Sequence, residues 1–146
     1  MRALIQRVKG ASVEIPDSRS SISLGLLVLL GVKKGDGREE AEYLADKTLN
    51  LRIFEKSSGR MEYSVKDIKG EILVVSQFTL YGDTRRGRRP SFSEAAEPSL
   101  AMELFEYYIE CLKASSLTVK KGYFGQHMLL NIENDGPVTL MIEKSK

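Results

Sequence analysis

Between Gly25 and Gly31 the chain runs Leu26-Leu27-Val28-Leu29-Leu30, five apolar residues without a polar interruption. A strand points successive side chains to opposite faces, so an unbroken apolar run must bury both. Such a strand needs cover on each side, from helices or from a sheet that closes on itself. The whole apolar stretch, Leu24 to Val32, is far shorter than the ~20 residues needed to cross a bilayer as a helix.

The segments around this strand read as an α+β domain with a strongly bent, antiparallel-rich sheet or barrel and two helices. Ala3 to Val8 and Val13-Ile15 alternate as two half-buried antiparallel strands, and Pro16-Asp17-Ser18 is a turn. From Arg38 the period changes. Ala41, Leu44, Ala45, Thr48 and Leu49 form the stripe of a first helix. Arg52-Ile53-Phe54 and Met61-Glu62-Tyr63 flank Ser57-Ser58-Gly59 as a hairpin. Glu71 to Leu80 is an apolar strand, and 81–98 is a loop punctuated by Gly82, Gly87, Pro90 and Pro98. Ser99 caps a second helix with Ala101, Leu104, Phe105, Tyr108 and Leu112 on one stripe. Leu117-Thr118-Val119, Met128 to Ile132 and Val138 to Ile142 complete the strands.

The 146 residues fit one domain, 1–146, able to bury a core without disulfides or metals. Net charge is +2, so attraction for a polyanion must come from local clustering. Cys111 is the single cysteine, which excludes an intrachain disulfide and fits a reducing compartment. The first residues have no signal-peptide layout, and the expectation is a soluble cytoplasmic protein. His127 is the only histidine and reads as a structural strand residue, with no zinc pattern around it. No Walker loop and no Gly-x-Gly-x-x-Gly is present, so nucleotide hydrolysis and dinucleotide binding have no support. Neither a metal nor a cofactor is expected.

Three polar features remain. Ser76-Gln77-Phe78-Thr79 ends an apolar strand, with Ser76 and Phe78 on one face and Gln77 and Thr79 on the other. These side chains either satisfy neighbouring backbone or line a donor-rich pocket with Phe78 as a stacking surface or lid. Arg85, Arg86, Arg88 and Arg89 cluster around Gly87, either pairing with surface carboxylates or gripping phosphates with their two-pronged donors. Lys120-Lys121 would extend that basic surface. Gly136-Pro137 interrupts the last strand as a hairpin turn or as a cis corner that redirects carbonyls, since proline donates nothing to a ladder.

Taken in order, these blocks closely resemble the D-aminoacyl-tRNA deacylase family over essentially the whole chain. The likeness rests on Ala3-Leu4-Ile5-Gln6-Arg7-Val8, Gly25 to Val32, Val74 to Leu80, Arg89-Pro90-Ser91-Phe92 and Asn134-Asp135-Gly136-Pro137-Val138-Thr139. The resemblance implies a homodimer with two active sites at its interface. Ser76, Gln77, Phe78 and Thr79 would receive the aminoacylated 3′ adenosine of tRNA. Gly136 and Pro137, in the cis form, would enter from the partner subunit and reject L-amino acids. Arg7 would hold that corner and Ala101 would be a small pocket residue. Arg85, Arg86, Arg88 and Arg89 would contact tRNA. The implied reaction is hydrolysis of the ester of D-aminoacyl-tRNA, and of glycyl-tRNA, assisted by the adjacent ribose 2′-hydroxyl.

Two other classes fit parts of the sequence. One is a different ester hydrolase with Thr79 as covalent nucleophile, although no base stands beside it in sequence. The other is a non-catalytic RNA-binding module that uses the arginine loop.

Overall fold

The computed structural model describes residues 1–146. Its organising element is β1 (Arg2–Ile15), one strand of 14 residues where the sequence predicts two. The break at Gly10-Ala11 is absorbed as register shifts against the last strand, between Gln6 and Val8 and between Val8 and Gly10. So long a strand stays covered by changing neighbours. Its first half pairs antiparallel with β3 (Gly25–Gly31), from Arg2↔Gly31 to Val8↔Gly25. Its second half pairs with β2 (Ser18–Ile22), from Ala11↔Ile22 to Ile15↔Ser18. Along its other edge runs β6 (Leu129–Glu143).

Beyond β3 the sheet turns parallel. β3 pairs with β4 (Glu71–Ser76), and β4 with β5 (Val119–Lys121). The sheet is therefore mixed, with antiparallel pairing confined to β1 and its neighbours. Parallel neighbours need long crossovers, which contain α1 (Arg38–Asn50) and α2 (Pro98–Lys113). Strong bending brings β2 round towards β5. Lys120 Nζ donates to Ser21 O at 2.8 Å, and the Ser18 and Tyr123 hydroxyls lie 2.8 Å apart. The result is a nearly closed barrel-like sheet with two helices packed on it.

The apolar run of β3 serves both faces of this wall. Leu26, Val28 and Leu30 join the larger core with Ala3, Ile5, Ile72 and Val74 under both helices. Leu27 points the other way, into the barrel, with Val8, Val13, Ile22, Leu73 and Val75. Each such side chain contributes ~1.5–3 kcal/mol when fully buried. Thr48, buried beside the larger core, is satisfied internally. Thr48 Oγ1 donates to Leu44 O at 2.7 Å and so must accept from the Tyr108 hydroxyl at 2.8 Å.

Other boundaries move for local reasons. α2 opens on Pro98, whose fixed φ suits a first helical position, and Glu97 before it makes no side-chain cap, so Ser99 lies inside the helix. The hairpin expected around Ser57-Ser58-Gly59 reduces to a single bridge, Phe54↔Tyr63. The strand expected at 117–119 starts at Val119. No helix is long and apolar enough to cross a membrane.

Candidate active site

The apolar residues Ile72 to Val75 are buried, and the strand stops at Ser76. The Gln77 N–H makes a last bond to Leu30 O at 2.8 Å. The chain then coils into a 3-10 turn, Phe78–Tyr81. The alternation of faces expected for Ser76 to Thr79 therefore fails after Gln77, because a 3-10 turn repeats every three residues. What results is a compact polar ledge. Gln77 Nε2 donates to Thr79 Oγ1, and the Phe78 ring stands 55% exposed beside them. The Phe78 and Thr79 N–H groups open the turn, where a helix has no internal acceptors for them.

The far end of the turn is clamped by Arg2. Its Nη1 donates to Leu80 O at 2.8 Å, its guanidinium lies 4.5 Å from the Tyr81 ring centre, and its Nε is 3.1 Å from Glu143 Oε1. Tyr81 is buried with its hydroxyl unpartnered, and burial, with Asp36 nearby, pushes that hydroxyl's pKa up.

The arginine loop follows directly. Asp83 and Ser91 exchange backbone bonds of 2.7 and 2.9 Å and close its neck. Arg85 is not free. Its Nε and Nη2 meet the Asp83 carboxylate at 2.9 and 2.7 Å, and its backbone N–H does so at 3.0 Å. The side-chain bonds from Arg85, with its backbone N–H, hold the Asp83 carboxyl down at about 2. Arg86, Arg88 and Arg89 are exposed and make no ion pair. With Asp83, Arg85 and Ser91, Arg86 lines an open polar hollow of about 520 Å³. Lys120 is tied to Ser21 O, and Lys121 to Glu106 at 2.7 Å. Just past the neck, Phe92 meets Phe78 edge to face, with centroids 5.1 Å apart and planes at 70°.

The Gly136–Pro137 bond is cis. No turn interrupts the strand there. Gln6 pairs with Thr139 and Val8 with Asn134, so Arg7 alone faces the four residues Asp135 to Val138, which bulge out of β6. Arg7 is 8% exposed; it donates to Asp135 O at 2.9 Å and to Ile53 O at 2.8 Å, with Glu55 and Asp135 carboxylates at 3.8 and 3.7 Å. Asn134 closes the bulge from its other end. Its Oδ1 accepts from Val138 N at 3.0 Å, and its Nδ2 donates to Thr139 Oγ1 at 2.9 Å. Gly136 has φ +137° and is exposed with Pro137.

Within one chain this corner and the Ser76–Thr79 ledge lie apart. β1 and β3 stand between β6 and β4, three strand spacings or ~14 Å across a flat sheet. Along the strands they are offset as well, since Ser76 is in register with Leu30 and Leu30 with Ala3, four residues from Arg7. Ala101 sits in the first turns of α2, half-buried against the larger core.

The excluded residues stay outside this geometry. His127 is exposed in the loop before β6, not on a strand, and makes no hydrogen bond. Cys111 is half-buried on α2, where burial pushes its thiol pKa up. No three His, Cys, Asp or Glu side chains converge in a way that could hold a metal ion. Sequence reasoning missed Arg2, Asn134 and Phe92. Phe92 and Asn134 stood inside the motif blocks without a role assigned, and Arg2 had no signal.

Known proteins resemble this chain over its whole length. Residues 4–143 match the family model described as D-Tyr-tRNA(Tyr) deacylase. A D-aminoacyl-tRNA deacylase of Thermosipho africanus is 53% identical over 100% of this chain and 99% of its own length. Another, of Aquifex aeolicus, is 56% identical over 98% of this chain and 97% of its own. The solved structure titled c-Myc DNA Unwinding Element Binding Protein superposes with a TM-score of 0.92 at 40% identity, covering 100% of both chains.

Proposed function

Because the chain belongs to the D-Tyr-tRNA(Tyr) deacylase family, we propose that it is a hydrolase that edits aminoacyl-tRNA. It cleaves the ester of D-aminoacyl-tRNA and of glycyl-tRNA to free amino acid and tRNA, and spares L-aminoacyl-tRNA. The observation that carries this reading is the outward Gly136–Pro137 bulge, clamped by Arg7 and Asn134 yet remote from the ledge of its own chain. A rigid corner far from its own pocket has a use if it enters the pocket of a second copy. The edge strand fits that role, for Leu129, Ile132, Leu140 and Met141 on β6 and Phe78 on the ledge are all exposed. Exposed apolar residues along one edge mark a surface that association would cover.

Ser76, Gln77, Phe78 and Thr79 form the wall for the 3′ aminoacyl-adenosine. Water adds to the ester carbonyl, and the Phe78 and Thr79 N–H groups receive the negative charge that develops on its oxygen. One such donor is worth ~3–4 kcal/mol in other enzymes. The C–O bond to the ribose then breaks and the 3′-hydroxyl leaves with a proton. No side chain here serves as base; the neighbouring 2′-hydroxyl of the RNA assists as a relay, accepting from the attacking water and donating to the departing 3′-oxygen, so that the water's proton ends on the 3′-hydroxyl. Thr79 is poorly set as a nucleophile, because its hydroxyl accepts from the Gln77 amide, which cannot take a proton from it. Arg86, Arg88 and Arg89 are placed to meet phosphates, and Arg85 shapes their loop.

The test is deacylation of D-Tyr-tRNA and L-Tyr-tRNA in parallel, with sedimentation of the protein alone. Rapid loss of the D ester only, by a dimer, is expected. Equal loss of both esters, or an active monomer, overturns the reading.

A further inference from the structure

Phe92 belongs to neither the polar ledge nor the arginine tip; it packs on the ledge and directly follows Ser91, which closes the neck of the arginine loop. Its ring packs edge to face on Phe78. It also occupies the space beside Gly82. A Cβ there would lie 3.0 Å from Phe92 Cε1 and 3.0 Å from Thr79 O, so the ring packs closely against the backbone of the 3-10 turn where a side chain would crowd it. On the other side, Ser91 is bonded to Asp83 across the loop neck, and Phe92 O accepts from Ala95 N at 3.1 Å. The segment just beyond is fixed to the end of β3 by Ala96 N to Val32 O at 3.0 Å. Arg86, Arg88 and Arg89 lie between the two halves of this neck. Beside the backbone from Thr79 to Asp83, the Phe92 ring gives the arginine loop an apolar side-chain contact with the ledge.

We propose that Phe92 is a positioning residue for the hydrolysis: it couples the arginine loop to Phe78 and the Thr79 backbone, so that phosphate contacts at the loop set the geometry of the pocket. This rests on the deacylase reading of the ledge. Aromatic edge-to-face pairs hold a defined orientation, and small misplacements of a reacting group are costly, about 100-fold per ångström in severe cases.

Two substrates separate the coupling from simple packing: D-Tyr-tRNA, and 3′-D-tyrosyl-adenosine, which carries the ester but no phosphate. The wild-type protein is expected to show a higher kcat on the tRNA. In Phe92→Ala that advantage should fall about tenfold or more, with kcat on the two substrates converging. KM for the tRNA should stay within about a factor of three, since the arginines still bind. Phe92→Tyr should keep the advantage. Phe92→Leu, which fills the space without a ring edge, should lose most of it and serves as the test if Phe92→Ala lowers the folded fraction. An unchanged ratio of kcat values, or a rise in KM alone, overturns the coupling. Failure of the wild type to cleave D-Tyr-tRNA at all would instead sink the deacylase reading.

Discussion

Arg7 reaches across the sheet to Asp135 and donates to its carbonyl at 2.9 Å, while a second N–H of the same guanidinium holds Ile53 O at 2.8 Å. One buried cation thus fixes the start of the Gly136–Pro137 bulge to the chain that leaves α1. Burying that cation is tolerable because these donors have carbonyl acceptors and the Glu55 and Asp135 carboxylates lie within ion-pair distance, at 3.8 and 3.7 Å.

Truncating Arg7 should therefore act first on the bulge. Arg7→Ala leaves two carbonyls without their donor, a loss of about 1–3 kcal/mol per stranded group. Gly136→Ala strikes the same place differently. A methyl there would sit 2.8 Å from Val138 Cγ2 and 3.1 Å from Arg7 Nη2, on a backbone with φ +137°. Strain of ~1–3 kcal/mol is expected. Urea denaturation should show both losses, and D-Tyr-tRNA turnover should fall in both proteins. Wild-type stability in Gly136→Ala would mean that the corner is looser than its contacts imply.

Thr79→Ala should keep measurable activity, because the hydroxyl has a donor on it and no base. A tRNA ending in 2′-deoxyadenosine and charged on its 3′-hydroxyl should be cleaved slowly even by the wild type. A dead Thr79→Ala protein together with normal cleavage of the deoxy substrate would establish covalent catalysis by Thr79.

The four arginines should divide by their partners. Arg86→Ser, Arg88→Ser or Arg89→Ser should each reduce the salt dependence of tRNA binding by about one unit of slope per lost phosphate contact. Arg85→Ser should change it less, since Arg85 already neutralises Asp83. Instead it should loosen the loop. Filter binding across a salt series reads both effects, and equal slopes for all four variants would remove the distinction.

Much of this was readable in the sequence, and the failures have causes. The Gly25–Gly31 run announced a wall buried on both faces, and Leu27 and Leu26 do fall into different cores. The stripe from Ala41 to Leu49 gave α1 because burial there follows the helical period. The end of β4 was not legible, because Phe78 and Thr79 suit a strand as well as a turn. Nor was the sequestering of Arg85, whose partner Asp83 is set by a loop closure between residues 83 and 91. Arg2 carries no pattern at all, and Asn134 shows only as part of the Asn134–Thr139 block, with nothing to say that it clamps the bulge. Their roles arise from register, which brings Arg2 beside Leu80 and Asn134 beside Thr139.

The dependence on pH should lack a histidine of the protein. His127 is exposed and bonded to nothing, so His127→Ala should leave kcat unchanged from pH 6 to 8. The loop should also be constant there. The Asp83 carboxyl is held at about 2, below its unfolded range, so its pairing with Arg85 is complete above pH ~4 and fades only as pH falls towards 2. A pH–rate profile of the wild type and His127→Ala decides this, and a step between pH 6 and 8 in the wild type that the variant lacks would refute it.

The glycyl ester gives the sharpest test of how chirality is read. Gly136 offers no side chain and Pro137 no N–H, so a corner that enters a partner's pocket presents backbone carbonyls at close range. Such a surface accepts hydrogen at the substrate α-carbon and clashes with an L side chain. Specificity then comes from excluding the wrong substrate and requires no contact with the D side chain. Many D-amino acids should be accepted, and glycine, with nothing to exclude, should be removed from its tRNA as well. D-Tyr-, L-Tyr- and Gly-tRNA assayed together should give two cleaved esters and one survivor. Complete sparing of the glycyl ester beside rapid loss of the D-tyrosyl ester would require positive recognition of a D side chain, and the exclusion model would fall.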